Sequence, residues 1–328
     1  MSGRGLGGWL LRRFGGALLL LLLVVSATFV ALHALPGDPT TLLVDPRVPP
    51  SARAQLLHQW GFDRPLLEQY GRWLLRAAQG NWGTSIVHHR SAGAVLLGAL
   101  PYTLLLGGAA LLIEVAVALP LGVLAARRRG GAADHLLRVG SLLLYALPTF
   151  WLGLMALLLF AYRWPLFPAG HTGDAGGSGG AGELLRHLAL PALVLGVSGA
   201  GALLRLVRGS LLAALPDEPL RAARARGLSE ARVVWVHGLR RAAAPLLQLL
   251  GLSLPALLGG ALVIEVVFSW PGLGRIAYLA VLTRDLPLVI ACTTWSAALV
   301  VLGGLLADLA TTAVDPRQRE ALAEGTLG

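Results

Sequence analysis

The sequence contains no lysine, so its net charge of +10 rests on 27 arginines set against 17 acids. A phosphate loop of the form GxxxxGK[ST] needs its lysine to reach the β- and γ-phosphates, and the chain therefore does not hydrolyse ATP by that route. Cysteine is nearly absent. Cys292 stands alone in an apolar run, which excludes a disulfide framework within the chain and reads as a small core residue. Charge of either sign is scarce, at 13% of residues, where a soluble domain has about 25%. HExxH and CxxC are missing and the eight histidines are scattered, so no catalytic constellation stands out. His88-His89 has no third ligand nearby and reads as a solvated loop. No cofactor and no metal is expected.

In place of charge there is apolar sequence: 55% hydrophobic residues and a mean hydropathy of +0.69. The fold class expected is an all-α polytopic membrane protein. A first apolar run covers about 14–35, long enough to cross a bilayer at about 20 residues, behind a basic head with Arg4, Arg12 and Arg13. A cleaved signal peptide ending near Val25-Ser26-Ala27 is the alternative, but the run continues past that point and favours a retained span. Five further spans are expected at about 100–126, 137–162, 187–212, 245–268 and 287–314, giving six transmembrane helices. The chain divides into 1–97, the first span with an external subdomain, and 98–328, a five-helix core. Leu66, Leu67, Tyr70, Leu74 and Leu75 fall on helical spacing in that subdomain. The glycine-rich tract at 173–182 reads as a flexible loop.

Arginine sorts by topology. With the N-terminus inside, both ends are cytoplasmic and the inner segments hold 17 of the 27 arginines, while the acids divide evenly between the two faces. The basic balance thus needs no nucleic acid. Three acids fall within spans: Glu114, Glu265 and Asp308. Ionisable groups there are costly and mark function by default, but pairing or packing accounts for them as well, and Glu114 is the deepest. Prolines 120, 148, 191 and 255 sit among glycines inside spans, as in helices that line a cavity or move. Ser141, Ser198, Ser253 and Ser296 lie in or beside apolar runs, where serine supports helix packing. On the external side, 267–287 is punctuated by Pro271, Gly272 and Gly274. Trp270 and Tyr278 read there as interface aromatics, and a short surface helix is expected over 276–282.

The longest internal polar stretch, 216–244, carries six arginines and three acids between two spans. Asp217, Glu218 and Pro219 suit a helix N-terminus, Ala222, Ala223 and Ala225 favour helix, Gly227 breaks it, and Ser229 is placed to cap a second helix. This is the punctuation of a docking element.

These features together resemble the permease subunits of bacterial peptide-type ABC importers, the dipeptide and oligopeptide family that includes nickel and glutathione transporters. Residues 222–247 resemble its EAA loop, with Gly227 and Pro245 in place and Arg205 and Arg208 matching the basic pair that ends the preceding span. PGDP at 36–39, 61–74, GNWGTS at 80–85, EVVFSWPGLGR at 265–275, RDLP at 284–287 and DPR at 315–317 match in order. The name-giving glutamate of the loop is missing, with Arg221 before Ala222-Ala223. Asn81 stands where an aspartate is usual, and no aromatic follows Asp308. The resemblance implies a type I ABC importer permease fold in the bacterial inner membrane with no enzymatic site of its own. Its implied partners are a second permease subunit, two cytoplasmic ATPases and an external substrate-binding protein. It also implies that Leu220, Arg221, Ala222, Ala223, Arg224, Ala225, Arg226, Gly227 and Leu228 form the ATPase-coupling helix. Leu220, Ala223 and Gly227 lie on one face of that helix and Arg221 and Arg224 on another. The small residues are expected to sit in a cleft of the ATPase. The rival reading is a stand-alone proton-coupled transporter with Glu114 as its relay.

Overall fold

A computed structural model describes residues 3–34, 64–174 and 179–314, leaving aside the side chains of 3–7, 9–10, 32, 244, 251–260, 311 and 313–314. PGDP at 36–39, the proline-rich stretch at 46–50, Trp60, residues 175–178 of the glycine tract and DPR at 315–317 lie outside the described residues, as do the side chains of Ser253 and Pro255.

The described chain is helical, with one isolated strand-type bridge between Thr84 and Ser91. In order it forms α1 (Gly3–His33), α2 (Leu66–Ala78), α3 (Ala92–Arg127), α4 (Ala132–Ala146), α5 (Thr149–Ala156) with a π-helical continuation Leu157–Arg163, and α6 (Ala181–Ala214). Then follow α7 (Glu218–Ala225), α8 (Glu230–Arg232), a π-helical segment Val233–Gly238, α9 (Leu239–Val267), α10 (Leu273–Leu282) and α11 (Leu286–Val314). Among the described residues four helices are long and apolar enough to cross a membrane: Leu11–Ala31 within α1, α3, α6 and Leu286–Ala310 within α11. A fifth crossing is the α4–α5 pair taken as one. The expected span at 245–268 falls in helix α9, eleven of whose side chains are not described, so six is not a count made on the described residues.

The expected continuous span at 137–162 is broken. The chain bends by 99° between α4 and α5. Pro148 disfavours helical backbone at the residue before it, and Leu147 is extended (φ −80°, ψ 130°). Pro120 and Pro191, by contrast, lie inside unbroken helices. α3 and α6 form the centre of the bundle, and their apolar cluster is completed by Ile264 and Phe268 of α9 at one end and by Val234 and Leu246 at the other.

Around that centre, α2 lies against the end of α1. The Tyr70 and Ser26 hydroxyls are 2.7 Å apart, and the Phe29 ring meets Tyr70 edge-on. The inward side of α2 is Tyr70, Trp73, Leu74 and Ala77, whereas Leu66, Leu67 and Leu75 of the expected stripe are exposed. Trp73, Trp82 and Trp295 then form an aromatic row that leads to α11.

Beneath this row Asp285 joins the two halves of the chain. It is fully buried, and its Oδ2 accepts from the Ser85 hydroxyl at 2.5 Å and from the backbone N–H groups of Ile86 and Val87. Its Oδ1 accepts from Leu288 N–H and caps α11. GNWGTS and RDLP, far apart in sequence, are thus one structural joint. Asn81 serves the turn itself: its side-chain oxygen accepts from Gly83 N–H at 3.1 Å. Replacing Asp285 with alanine strands two buried donors, the Ser85 hydroxyl and Leu288 N–H, at about 1–3 kcal/mol each, and two part-buried ones, Ile86 and Val87 N–H, at less. The expected outcome is a loss of at least about 3 kcal/mol in unfolding of the purified protein, followed by the fluorescence of the Trp82–Trp295 pair, with Asp285→Asn losing less.

Candidate functional site

The polar stretch forms a built element. α6 ends at Ala214, and α7 begins after Asp217 with Pro219 in its first turn. Leu220 and Ala223 are buried and pack on Val233 with Leu215 and Leu228 around them. α7 ends in a two-bond cap: Gly227 N–H donates to the Arg224 carbonyl at 2.9 Å and Leu228 N–H to the Ala223 carbonyl at 3.3 Å. This cap requires positive φ, and Gly227 has φ +80°. Ser229 then caps α8, accepting from Arg232 N–H.

Arg224 staples the element shut. Its Nε and one terminal nitrogen donate to both oxygens of Glu230 at 3.0 and 2.9 Å, and its other terminal nitrogen donates to the Leu215 carbonyl at the end of α6. A bidentate pair of this kind fixes geometry as well as adding energy. Arg241 reaches back to Asp217 at 3.2 Å, which closes α9 onto the start of α7. From α8 the chain runs without a break through the π-helical segment into α9, so 230–267 is a continuous helical rod of about 55 Å.

This places the expected site residues on two sides. Leu220 and Ala223 face their own chain, and Arg224 is engaged within the loop. The surface presented outward is Glu218, Pro219, Arg221, Ala222, Ala225, Arg226 and Gly227. Of the small residues expected to sit in a cleft of a partner, Ala223 is thus turned inward with Leu220 and holds α7 to the rod, whereas Ala222, Ala225 and Gly227 are open beside Arg221 and Arg226.

The three acids within spans have separate surroundings. Glu114 is 2% exposed on α3 and lies against α6 at Gly199, where a Cβ would come within 2.8 Å of Oε2. Glu265, fully buried near the end of α9, accepts from the Thr103 hydroxyl of α3 at 2.7 Å and from Arg275 N–H in the first turn of α10 at 3.0 Å. Thr103 also accepts from Leu273 N–H. Trp270, expected at the membrane interface, is instead completely buried and donates to the Tyr102 carbonyl at 2.9 Å, because the Trp-Pro-Gly turn folds back onto α3. Tyr278 of α10 is exposed, as its interface reading requires. Asp308 pairs with Arg13, whose Nε donates at 2.6 Å, tying α11 to α1.

Some contacts gave no local signal in the sequence. Asp134, at the start of α4, is buried and receives two bonds from Arg208 at 2.6 and 2.8 Å and a third from Gly130 N–H. Arg205 donates to the Ser141 carbonyl at 2.9 Å and lies over the Tyr145 ring. The basic pair at the end of α6 therefore holds α4. His88 and His89 occupy an exposed turn and belong to no group of three close metal-ligating side chains among the described residues.

Among the described residues, a stapled polar element stands between two long helices, α6 and α9. Residues 118–320 match the family described as "Binding-protein-dependent transport system inner membrane component", and residues 7–106 match the description "Binding-prot-dependent transport system membrane comp, N-term". The chain belongs to this family, the inner-membrane permeases of ABC importers. It is 36% identical over 310 residues to the oligopeptide transport system permease protein AppB of Bacillus subtilis (strain 168), covering 94% of this chain and 98% of that protein. It is 34% identical over 333 residues to the dipeptide transport system permease protein DppB of Escherichia coli (strain K12), at 95% and 98% coverage. It is 36% identical over 315 residues to the di/tripeptide transport system permease protein DppB of Pseudomonas aeruginosa (strain UCBPP-PA14), at 90% and 94%. As a member of this family it works with the other subunits of an ABC importer, a binding protein and an ATPase. A transporter acting alone is set aside on that ground.

Hydrogen bonds from Arg224 hold the Glu230 carboxyl below its ordinary value of 4.5, with the charges of Arg224 and Arg127 acting in the same direction. A depressed acid stabilises the folded loop fully above that ordinary value and loses its contribution as pH falls through the lowered one. The pair is half-exposed, so its worth is about 1 kcal/mol. Arg224→Ala should raise amide exchange across 220–228 about fivefold near neutral pH. The gap in protection between variant and wild type should narrow once Glu230 is protonated.

Proposed function

We propose that this chain is one of two permease subunits of a peptide importer, that it crosses the membrane six times with both termini in the cytoplasm, and that α7 is its contact with an ATPase. It forms half of the path for di- or oligopeptides, pairs with a second, related permease, and receives substrate from an external binding protein. ATP is hydrolysed on two separate cytoplasmic subunits. Peptides are favoured by the names of the three relatives given above. The Arg13–Asp308 pair supports the topology, since it sets the start of α1 beside the end of α11 on one face.

The observation that carries the coupling role is the division of α7 into two faces. Its inner face is locked to Val233 and its outer face is small and basic. A partner pressing on that outer face pushes a lever that cannot yield locally. Leu220 and Ala223 pass the displacement to the π-helical segment, and the rod 230–267 carries it to the turn that Glu265 organises. Packed elements of this kind move as rigid bodies between discrete arrangements. Glu230 serves the loop through Arg224, a role that does not call for the missing family glutamate.

The test is Gly227→Trp. Within the chain a Cβ at Gly227 meets nothing within 4 Å, so the internal cost is confined to the left-handed backbone, roughly 1–2 kcal/mol. Beyond it the indole projects into the space assigned to the ATPase. Membrane insertion is expected to be normal, while peptide uptake per ATP hydrolysed falls at least about tenfold, an effect of 1.4 kcal/mol or more on coupling. Normal uptake by this variant contradicts the docking assignment.

A further inference from the structure

Away from the coupling element, the connection between α5 and α6 brings together Asp174, Glu183 and His187, whose ligand atoms all lie within 4.8 Å of one another. His187 is 3% exposed at the start of α6. Its Nδ1 is 2.6 Å from the Gly170 carbonyl oxygen. A carbonyl only accepts, so Nδ1 carries a proton, and Nε2 is the ring nitrogen turned away from the backbone. That Nε2 is buried with no hydrogen-bond partner, and the nearest charged group is Asp174 Oδ1 at 3.3 Å. A buried ring nitrogen that meets a carboxylate oxygen needs something positive between them, a proton or a metal ion.

We propose that Asp174, Glu183 and His187 bind a divalent transition-metal ion, with zinc the best fit. An imidazole whose other nitrogen is bonded to a backbone carbonyl is the usual arrangement of a metal-ligating histidine. Donors 2.0–2.2 Å from a tetrahedral zinc sit roughly 3.3 Å apart, which is the His187–Asp174 separation. Two carboxylates and a neutral imidazole carry a charge of −2, which a divalent cation cancels, and the mixed nitrogen and oxygen set suits zinc better than calcium or magnesium. Glu183 already shapes the loop, accepting from Asp174 N–H at 2.5 Å and Gly179 N–H at 3.0 Å.

The position gives the ion a task. His171 N–H donates to the Phe268 carbonyl at 3.0 Å, so the loop is hung on the end of α9 beside the turn that Glu265 organises. A metal at His187 ties that loop to the start of α6 and makes one block of three chain ends. This rests on the local geometry alone and stands whether or not the peptide reading does.

The test uses the tag-free transporter purified with its partner subunits, stripped with a chelator and re-equilibrated with Zn²⁺ or Co²⁺. To remove a rival ligand pair it is done in a His88→Ala/His89→Ala background. Expected are one Zn²⁺ per copy of this chain by elemental analysis, and a Co²⁺ form with visible absorption of four-coordinate character. Asp174→Asn alters an exposed carboxylate and should leave the fold intact while weakening Zn²⁺ at least about tenfold, and His187→Ala should abolish it. The proposal is overturned if the parent protein takes up no Zn²⁺, which would leave a protonated His187 paired with Asp174. It is overturned equally if all three proteins bind Zn²⁺ alike.

Discussion

Hydrogen bonds accepted by buried carboxylates hold the connections of this bundle in place. An ionised acid removed from water is costly unless donors replace its hydration, and a chain with so few charges has few such donors in its side chains. The backbone supplies most of them. Asp285 takes N–H groups from the turn at 86–87 and from α11, Glu265 takes Arg275 N–H from α10, and Asp134 takes Gly130 N–H before adding Arg208. In each case one acid fixes a turn to a helix that is distant in sequence. Helices in an apolar medium gain little from hydrophobic association with one another, and these polar joints tie together elements that are distant in sequence.

The proposed coupling segment uses the same kind of joint. Arg224 closes the loop by meeting Glu230 and the last carbonyl of α6, and Leu220 plugs α7 onto the π-helical segment at 233–238. A π-helical insertion in a long helix is often a functional feature. Here it seats α7 and leads straight into α9. The rod that starts under α7 therefore finishes at Glu265, which binds α3 and α10 together. One continuous element reaches from the proposed ATPase contact to the opposite end of the bundle.

Much of this is legible in the sequence, because it rests on local signals. Apolar length fixes where long helices run, and Pro219, Gly227 and Ser229 mark the ends of α7 and α8 through preferences that act within a few residues. The bend at Leu147–Pro148 was open to the same reading, but the prolines at 120 and 191 are tolerated inside helices, so proline alone does not locate a break. Face assignments are less legible. Leu220 and Ala223 form one stripe on a helical wheel, but the wheel does not say whether the stripe meets a partner or its own chain, and here it meets Val233. Trp270 carries the composition of an interface residue, and only the fold-back of its turn buries it. Asp285 and Ser85 stand 200 positions apart, and His187 meets Asp174 only once the chain has turned after α5. Contacts of that range leave no periodic trace.

On the proposed function, the outward face of α7 is the surface on which the ATPase acts. Photocrosslinking from single sites in the assembled transporter tests it most directly, with a photoreactive residue placed in turn at Arg221, Ala225 and Arg226, and at Val281 of α10 as the control on the opposite face. Crosslinks to the ATPase are expected from all three α7 positions and none from 281. Absence of ATPase crosslinks from α7, with strong ones from another polar connection such as Arg129, would contradict it.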